Sequence, residues 1–148
     1  MDWGMIFSAA NGLALIAWAS LILLPRWPFL LSAILYLVIG LLCLVYTVCL
    51  GAVLSGAIPA GNGGADFTTI EGVRSIFASD VGVTIGWIHY LAFDLFIGLW
   101  IARDADAKFI SRFIQAPILL LTFVAGPAGL LLWLIVREPA ARAQGRWS

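Results

Sequence analysis

The sequence predicts an all-α integral membrane fold, a four-helix bundle with a short interfacial helix between its second and third spans. Two observations carry that reading. Of the 148 residues, 63% are hydrophobic and only 11% charged, and the mean hydropathy is +1.06. An ordinary soluble domain carries about 25% charged residues, so a water-soluble fold of this size cannot hide so much apolar surface, and the excess must face lipid. The apolar residues also gather in four runs, each near the ~20 residues that cross ~30 Å of hydrocarbon as a helix. Together these runs make a single transmembrane domain of residues 1–148 and leave no room for a soluble catalytic domain. The balance of 8 Lys+Arg against 8 Asp+Glu leaves no basic footprint for nucleic acid.

The first span, about 4–24, begins without the basic segment of a secretory signal and reads as a retained anchor. It stops at Pro25-Arg26-Trp27-Pro28, a connection short enough to make spans 1 and 2 a tight antiparallel hairpin. The second, about 29–54, is long enough to need tilt. Its Cys43 and Cys49 stand about 9 Å apart along the helix, too far for a disulfide. The connection after it opens with Pro59 and Gly61-Asn62-Gly63-Gly64. It then offers the capping box Thr68-x-x-Glu71 ahead of a short interfacial helix, either a lid or a plain connector. The third span, about 81–102, starts after Asp80 as N-cap and ends at Arg103-Asp104. The fourth, about 116–136, ends at Arg137-Glu138-Pro139. If all four spans cross, Arg74, Arg137, Arg142 and Arg146 face Arg26, Arg103, Lys108 and Arg112 from opposite sides. That tie leaves the orientation undecided.

The third span carries the chemistry. Asp94 and His89 lie near its middle, and an ionised carboxylate at that depth costs about 2.5–3.5 kcal/mol even on a lenient scale. It needs a partner, a water-filled cavity or a proton, so Asp94 is a functional candidate; the bland alternative is a helix–helix hydrogen bond. At about 100° per residue, Asp94 shares a face with Trp87, Tyr90 and Leu91, while His89 lies about 140° away with Phe93, Phe96 and Trp100. The pair is expected to flank a cleft rather than to touch. Depth matching adds Asn11 from the first span and Thr122 from the fourth to a polar seam with His89, Tyr90 and Asp94.

Gly126-Pro127 and Gly129 stand near the middle of the fourth span. They read either as a surface packed on Gly82-x-x-x-Gly86 or as a kink that opens a pocket for a bulky apolar ligand. Trp3, Trp27, Trp100 and Trp147 fall where interfacial belts form. Trp87, Tyr90, Phe93 and Phe96 lie deeper, where they would line a slot for a rigid conjugated lipid. No metal-ligand spacing, phosphate loop or Ser-His-Asp set is present, and one histidine precludes a bis-histidine haem. Neither a metal nor another cofactor is expected.

Two motifs now bring a family into view. Trp87-x-His89-Tyr90-x-x-Phe93-Asp94-x-Phe96 is followed by Pro117-x-Leu119-x-Leu121-Thr122-Phe123-x-x-Gly126-Pro127-x-Gly129-Leu130-Leu131. In that order they resemble the abscisic-acid-deficient, neoxanthin synthase-like family of plants and its bacterial relatives. The resemblance implies a four-helix, multi-pass membrane protein of xanthophyll metabolism, here of a bacterial inner membrane. Its substrate is then a carotenoid or similar isoprenoid, and its functional residues are His89, Asp94, Thr122, Gly126 and Pro127. Plant members are associated with opening a ring epoxide of violaxanthin to the allene of neoxanthin. That isomerisation moves protons without a redox cofactor; Asp94 is its expected acid and His89 its expected base. The competing reading is a non-catalytic subunit, in a homo-oligomer or a larger pigment–protein or transport complex. A sterol-isomerase-like enzyme is the third, and a single intramembrane carboxylate serves that cation chemistry poorly.

Overall fold

The computed structural model describes residues 2–59 and 66–144, with the side chain of the last residue left aside, and these residues form helices joined by short connections, with no strand among them. The Gly61-Asn62-Gly63-Gly64 part of the second connection, together with Arg146 and Trp147, lies outside the described residues.

Helix α1, Trp3–Leu23, is capped by Asp2, whose Oδ1 accepts from the Met5 amide at 3.1 Å. The second run is one continuous helical stretch, Pro28–Leu54, with a change of winding inside it. It comprises α2 (Pro28–Ser32), a π-helical segment over Ala33–Ile39, and α3 (Gly40–Leu54). The Gly40 amide reaches back five residues to the Leu35 carbonyl. Helix α4, Ile70–Ile76, stands where a short helix is expected, but its cap is shifted by one residue. Thr69 Oγ1 accepts from the Gly72 amide at 3.1 Å, while Thr68 turns back to Asp66. The next cap moves as well: Ser79, not Asp80, accepts from the Gly82 amide at the start of α5, Asp80–Ala107.

Helix α5 runs five residues past its expected end at 102, because no glycine or proline follows to stop it. It ends on a pair of backbone bonds, Phe109 N–H to Asp106 O and Ile110 N–H to Ala105 O. Phe109 takes the left-handed conformation (φ 55°) that usually favours glycine there.

Three helical stretches are long and apolar enough to cross a membrane: Trp3–Leu23, Pro28–Leu54 and Asp80–Ala107. They mark the chain as a membrane protein. The fourth expected span is the main correction. Residues 116–136 do not form one helix: α6 (Arg112–Val124) and α7 (Gly126–Gln144) meet at Ala125, whose φ of −147° and ψ of 76° break the helical winding. The chain then reverses. Gln115 at the start of α6 bonds Arg26 and Asp106, and Phe123 at its end meets Trp18 edge-on at 5.6 Å. From there α7 returns, carrying Trp133 and Arg137 to Asp104. A Cβ on Gly129 would lie 2.5 Å from Thr122 Cα, so glycine there is what lets α6 and α7 close into a hairpin.

Around α5 the directions follow from the contacts. Helix α1 runs parallel to it, with Asn11 at Trp87, Trp18 at Gly98 and Arg26 at Asp106. Helix α3 runs antiparallel, with Tyr46 beside His89. The principal partner of α1 is therefore α5, not the helix that follows it in the chain. The main core, built on Trp18, Leu21, Leu95, Leu99, Leu119 and Trp133, lies in the half of the bundle that the α6–α7 hairpin occupies.

Candidate functional site

The hairpin fills only half of a helical slot beside α1 and α5. The other half is a cleft of about 490 Å³, within the about 300–1,000 Å³ of pockets that hold one small ligand. Its floor is the hairpin tip, Val124 to Pro127, together with Asp94. Its far end is closed by a bond between helices: Trp87 Nε1 donates to Asn11 Oδ1 at 3.0 Å, and Phe7 stacks on the Trp87 ring at 6.0 Å. Ala14 and Leu91 form the back wall. The side is open, since Leu15, Tyr90 and Val124 are 52%, 55% and 78% exposed.

Asp94 and Gly126 are made for each other sterically. A Cβ on Gly126 would sit 2.7 Å from Asp94 Cγ, so only glycine lets the tip rest against the carboxylate. Pro127 occupies the second position of α7, where its missing N–H costs nothing because no intrahelical acceptor exists there. It thus starts a helix, whereas the expected kink would interrupt one. The carboxylate has no hydrogen bond to any described residue, nor has the Tyr90 hydroxyl one turn away. Both polar groups stand on the cleft wall.

The sequence-predicted residues divide in two. Asn11, Trp87, Tyr90, Asp94, Gly126 and Pro127 come together around the cleft. His89, Phe93, Phe96 and Thr122 do not line it. The His89 ring stacks on Phe93 at 4.6 Å and lies 5.5 Å from Tyr46, on the α3 side of α5, as its angular offset from Asp94 requires. Thr122 is fully buried, and its hydroxyl donates to the Ile118 carbonyl at 2.8 Å, so the expected seam with Asp94 is not formed. Phe93 and Phe96 are 56% and 47% exposed on the outer surface. The expected packing of Gly126 and Gly129 on Gly82-x-x-x-Gly86 is absent too. Gly82 abuts the Ile76 backbone and Gly86 the Phe77 ring, at the corner between α4 and α5.

Sequence reading missed the ion pairs that hold the hairpin. Asp104 binds Arg137 through both oxygens (2.6 and 3.0 Å), takes Lys108 Nζ at 2.9 Å and accepts from Trp133 Nε1 at 3.1 Å. The Arg137 guanidinium also lies over the Trp100 ring at 5.5 Å. The side chain of Arg26, in the short connection between the first two runs, is buried. It donates to Ala102 O, Asp106 and Gln115, tying the α1 end to α5 and α6. Burial draws its guanidinium below the ordinary arginine value, and Asp106 opposes the shift. Pairings this distant in sequence, from 26 to 115 and from 104 to 137, leave no local signal. Among the described residues, no group of three or more His, Cys, Asp or Glu is placed to hold a metal.

Residues 5–133 match the model of the ABA4-like family, described as ABA DEFICIENT 4-like, and the chain belongs to that family. No curated protein and no solved structure matches it.

Proposed function

From membership of the ABA4-like family as premise, we propose that this chain is a multi-pass protein of a bacterial inner membrane that binds and isomerises a carotenoid or related isoprenoid in the cleft beside Asp94. The observation that carries the reading is an uncommitted carboxylate at half depth, facing a ligand-sized space open to the side. A carboxyl group there is costly to keep, which makes it a functional candidate by default.

In an epoxide-to-allene isomerisation Asp94 gives its proton to the ring oxygen as the C–O bond breaks. The carboxylate so formed takes back the proton lost from the polyene, and the balance is zero, as an isomerisation requires. Tyr90 supports the oxygen from one turn away. His89 lies outside the cleft lining, so its expected role as base passes to Asp94 in this reading. Membrane lipid covers the exposed apolar surface.

The test is chromatography of pigments from a carotenoid-producing host with and without the gene. A shifted isomer or epoxide profile is expected with the wild-type chain, and D94N abolishes it. An unchanged profile with wild type, or full turnover by D94N, overturns the reading. A non-catalytic subunit of a homo-oligomer or larger complex is the second reading. It is favoured by an apolar groove of about 470 Å³ between α1 and α3, lined by Ile6, Leu13, Leu41 and Val45 among others.

A further inference from the structure

Asn11 spends both ends of its amide on holding one ring. Its Nδ2 donates to the Phe7 carbonyl at 2.9 Å, one turn back on α1, which leaves Oδ1 turned toward α5 to accept from Trp87 Nε1 at 3.0 Å. The Phe7 ring stacks on the same indole, with centroids 6.0 Å apart and planes at 26°. Trp87 is 42% exposed, so burial does not hold it; the bond and the stack do. The wall at the other end is fixed as well. Trp18 is buried, its ring lies on Gly98 where no Cβ would fit, and Phe123 meets it edge-on. Between the two walls the space follows α5 from Trp87 to Asp94, seven residues or about 10 Å, with the small Ala14 behind it.

Walls that cannot move favour a ligand by how well it fills the gap, because dispersion contacts are lost wherever a void remains. A ring fills the space between two aromatic walls, and a single-file chain leaves part of it empty. A free indole, by contrast, swings in and closes on a thin chain. We propose that Asn11 determines the specificity of the cleft: acting through Trp87, it holds the end wall in place, so that an isoprenoid ending in a ring is preferred over one ending in an open chain. Asn11 is thus a positioning residue, and this role rests on the isoprenoid reading given above.

β-Carotene and lycopene are isomeric hydrocarbons, one closed to a ring at each end and the other open, so no polar group separates them. The full chain in lipid nanodiscs is titrated with each, and with zeaxanthin, the dihydroxylated counterpart of β-carotene. Induced circular dichroism in the polyene band reports pigment held in a chiral site, which pigment dissolved in lipid does not give. The signal is expected to saturate at a concentration on the order of ten-fold lower for β-carotene than for lycopene. N11L removes the acceptor and W87F removes the donor while keeping a ring. Each is expected to bring the two pigments to near equality, and N11L/W87F to do no more than either, as for residues acting through one bond. Equal binding by the wild-type chain, or a preference for lycopene, overturns the ring selection and leaves the isoprenoid reading standing. A preference that survives either single variant overturns the action of Asn11 through Trp87. Saturable binding of zeaxanthin without β-carotene makes the hydroxyls the selected feature and overturns the proposal alone. Saturable binding of none of the three overturns the isoprenoid reading with it.

Discussion

Asp104 is the residue on which the hairpin's position turns. Its side chain is 9% exposed, and those of Lys108 and Arg137 are 1% and 9% exposed. Removing one partner of a buried ion pair leaves an uncompensated charge and costs about 3–5 kcal/mol. D104N is therefore expected to destabilise the protein by about that amount in a thermal or denaturant titration in detergent. K108M/D104N/R137M, which removes all three charges, is expected to recover most of it. At the same scale, Asp94 was legible because a carboxylate in an apolar helix is conspicuous whatever surrounds it. Its separation from His89 was legible too, since 100° per residue fixes it. That Thr122 faces Ile118 and Gly129 instead of Asp94 was not, because it follows from which way α6 is turned in the packed structure.

At the scale of elements, α4 shows how local hydrogen bonds set a boundary. Asp66 accepts from the Thr68 hydroxyl at 2.6 Å, the Thr68 amide at 2.8 Å and the Thr69 hydroxyl at 2.9 Å. The bonds from Thr68 foremost, then Thr69, hold its carboxyl below the ordinary carboxylate value. A depressed carboxyl contributes stability that is fully present above the unfolded value of about 3.9 and is lost as pH falls through the lowered one. Hydrogen exchange at the Thr68 and Gly72 amides, corrected for intrinsic rates, is thus expected to be slow near neutrality and to quicken below about pH 4. D66N is expected to show the fast rate at all pH values. The presence of a helix here was readable from Thr, Glu and the apolar residues after them; which threonine caps it depended on the competing claim of Asp66. The fourth run was misread for a related reason. Gly126-Pro127 is compatible with a kinked helix and with the start of a new one, and sequence periodicity is the same in both.

At the scale of the whole molecule, the reversal at Ala125 changes the topology. If the three long stretches each cross and the hairpin dips in and returns, Asp2 and the end of α7 are expected on opposite sides, whereas four crossings would put them on the same side. The basic residues redistribute accordingly. Arg26, Arg103, Lys108, Arg112, Arg137 and Arg142 gather at the hairpin end, with Arg74 alone at the other among the described residues. By the excess of Lys and Arg, the hairpin end is the one expected on the cytoplasmic side. Cysteines introduced at Asp2 and Ala143 in a chain lacking Cys43 and Cys49 are expected to label from opposite faces of inverted and right-side-out vesicles, Ala143 from the cytoplasmic face. Labelling of both from one face would restore the fourth crossing.

Composition and run length by themselves determined that the chain is helical, that it belongs in lipid, where its three long spans lie and which carboxylate is out of place. These follow from the solvent: an apolar helix of ~20 residues has one favourable environment regardless of its neighbours. Only the tertiary structure decided that the last apolar run folds back on itself, that Arg26, Lys108 and Arg137 are buried ties, and that a half-length cleft opens beside Asp94. Lys108 meets Asp104 only four residues away, but the burial of that pair and the other features depend on packing residues far apart in the chain, and within a membrane the hydrophobic pattern, being apolar on every face, says nothing about which faces meet.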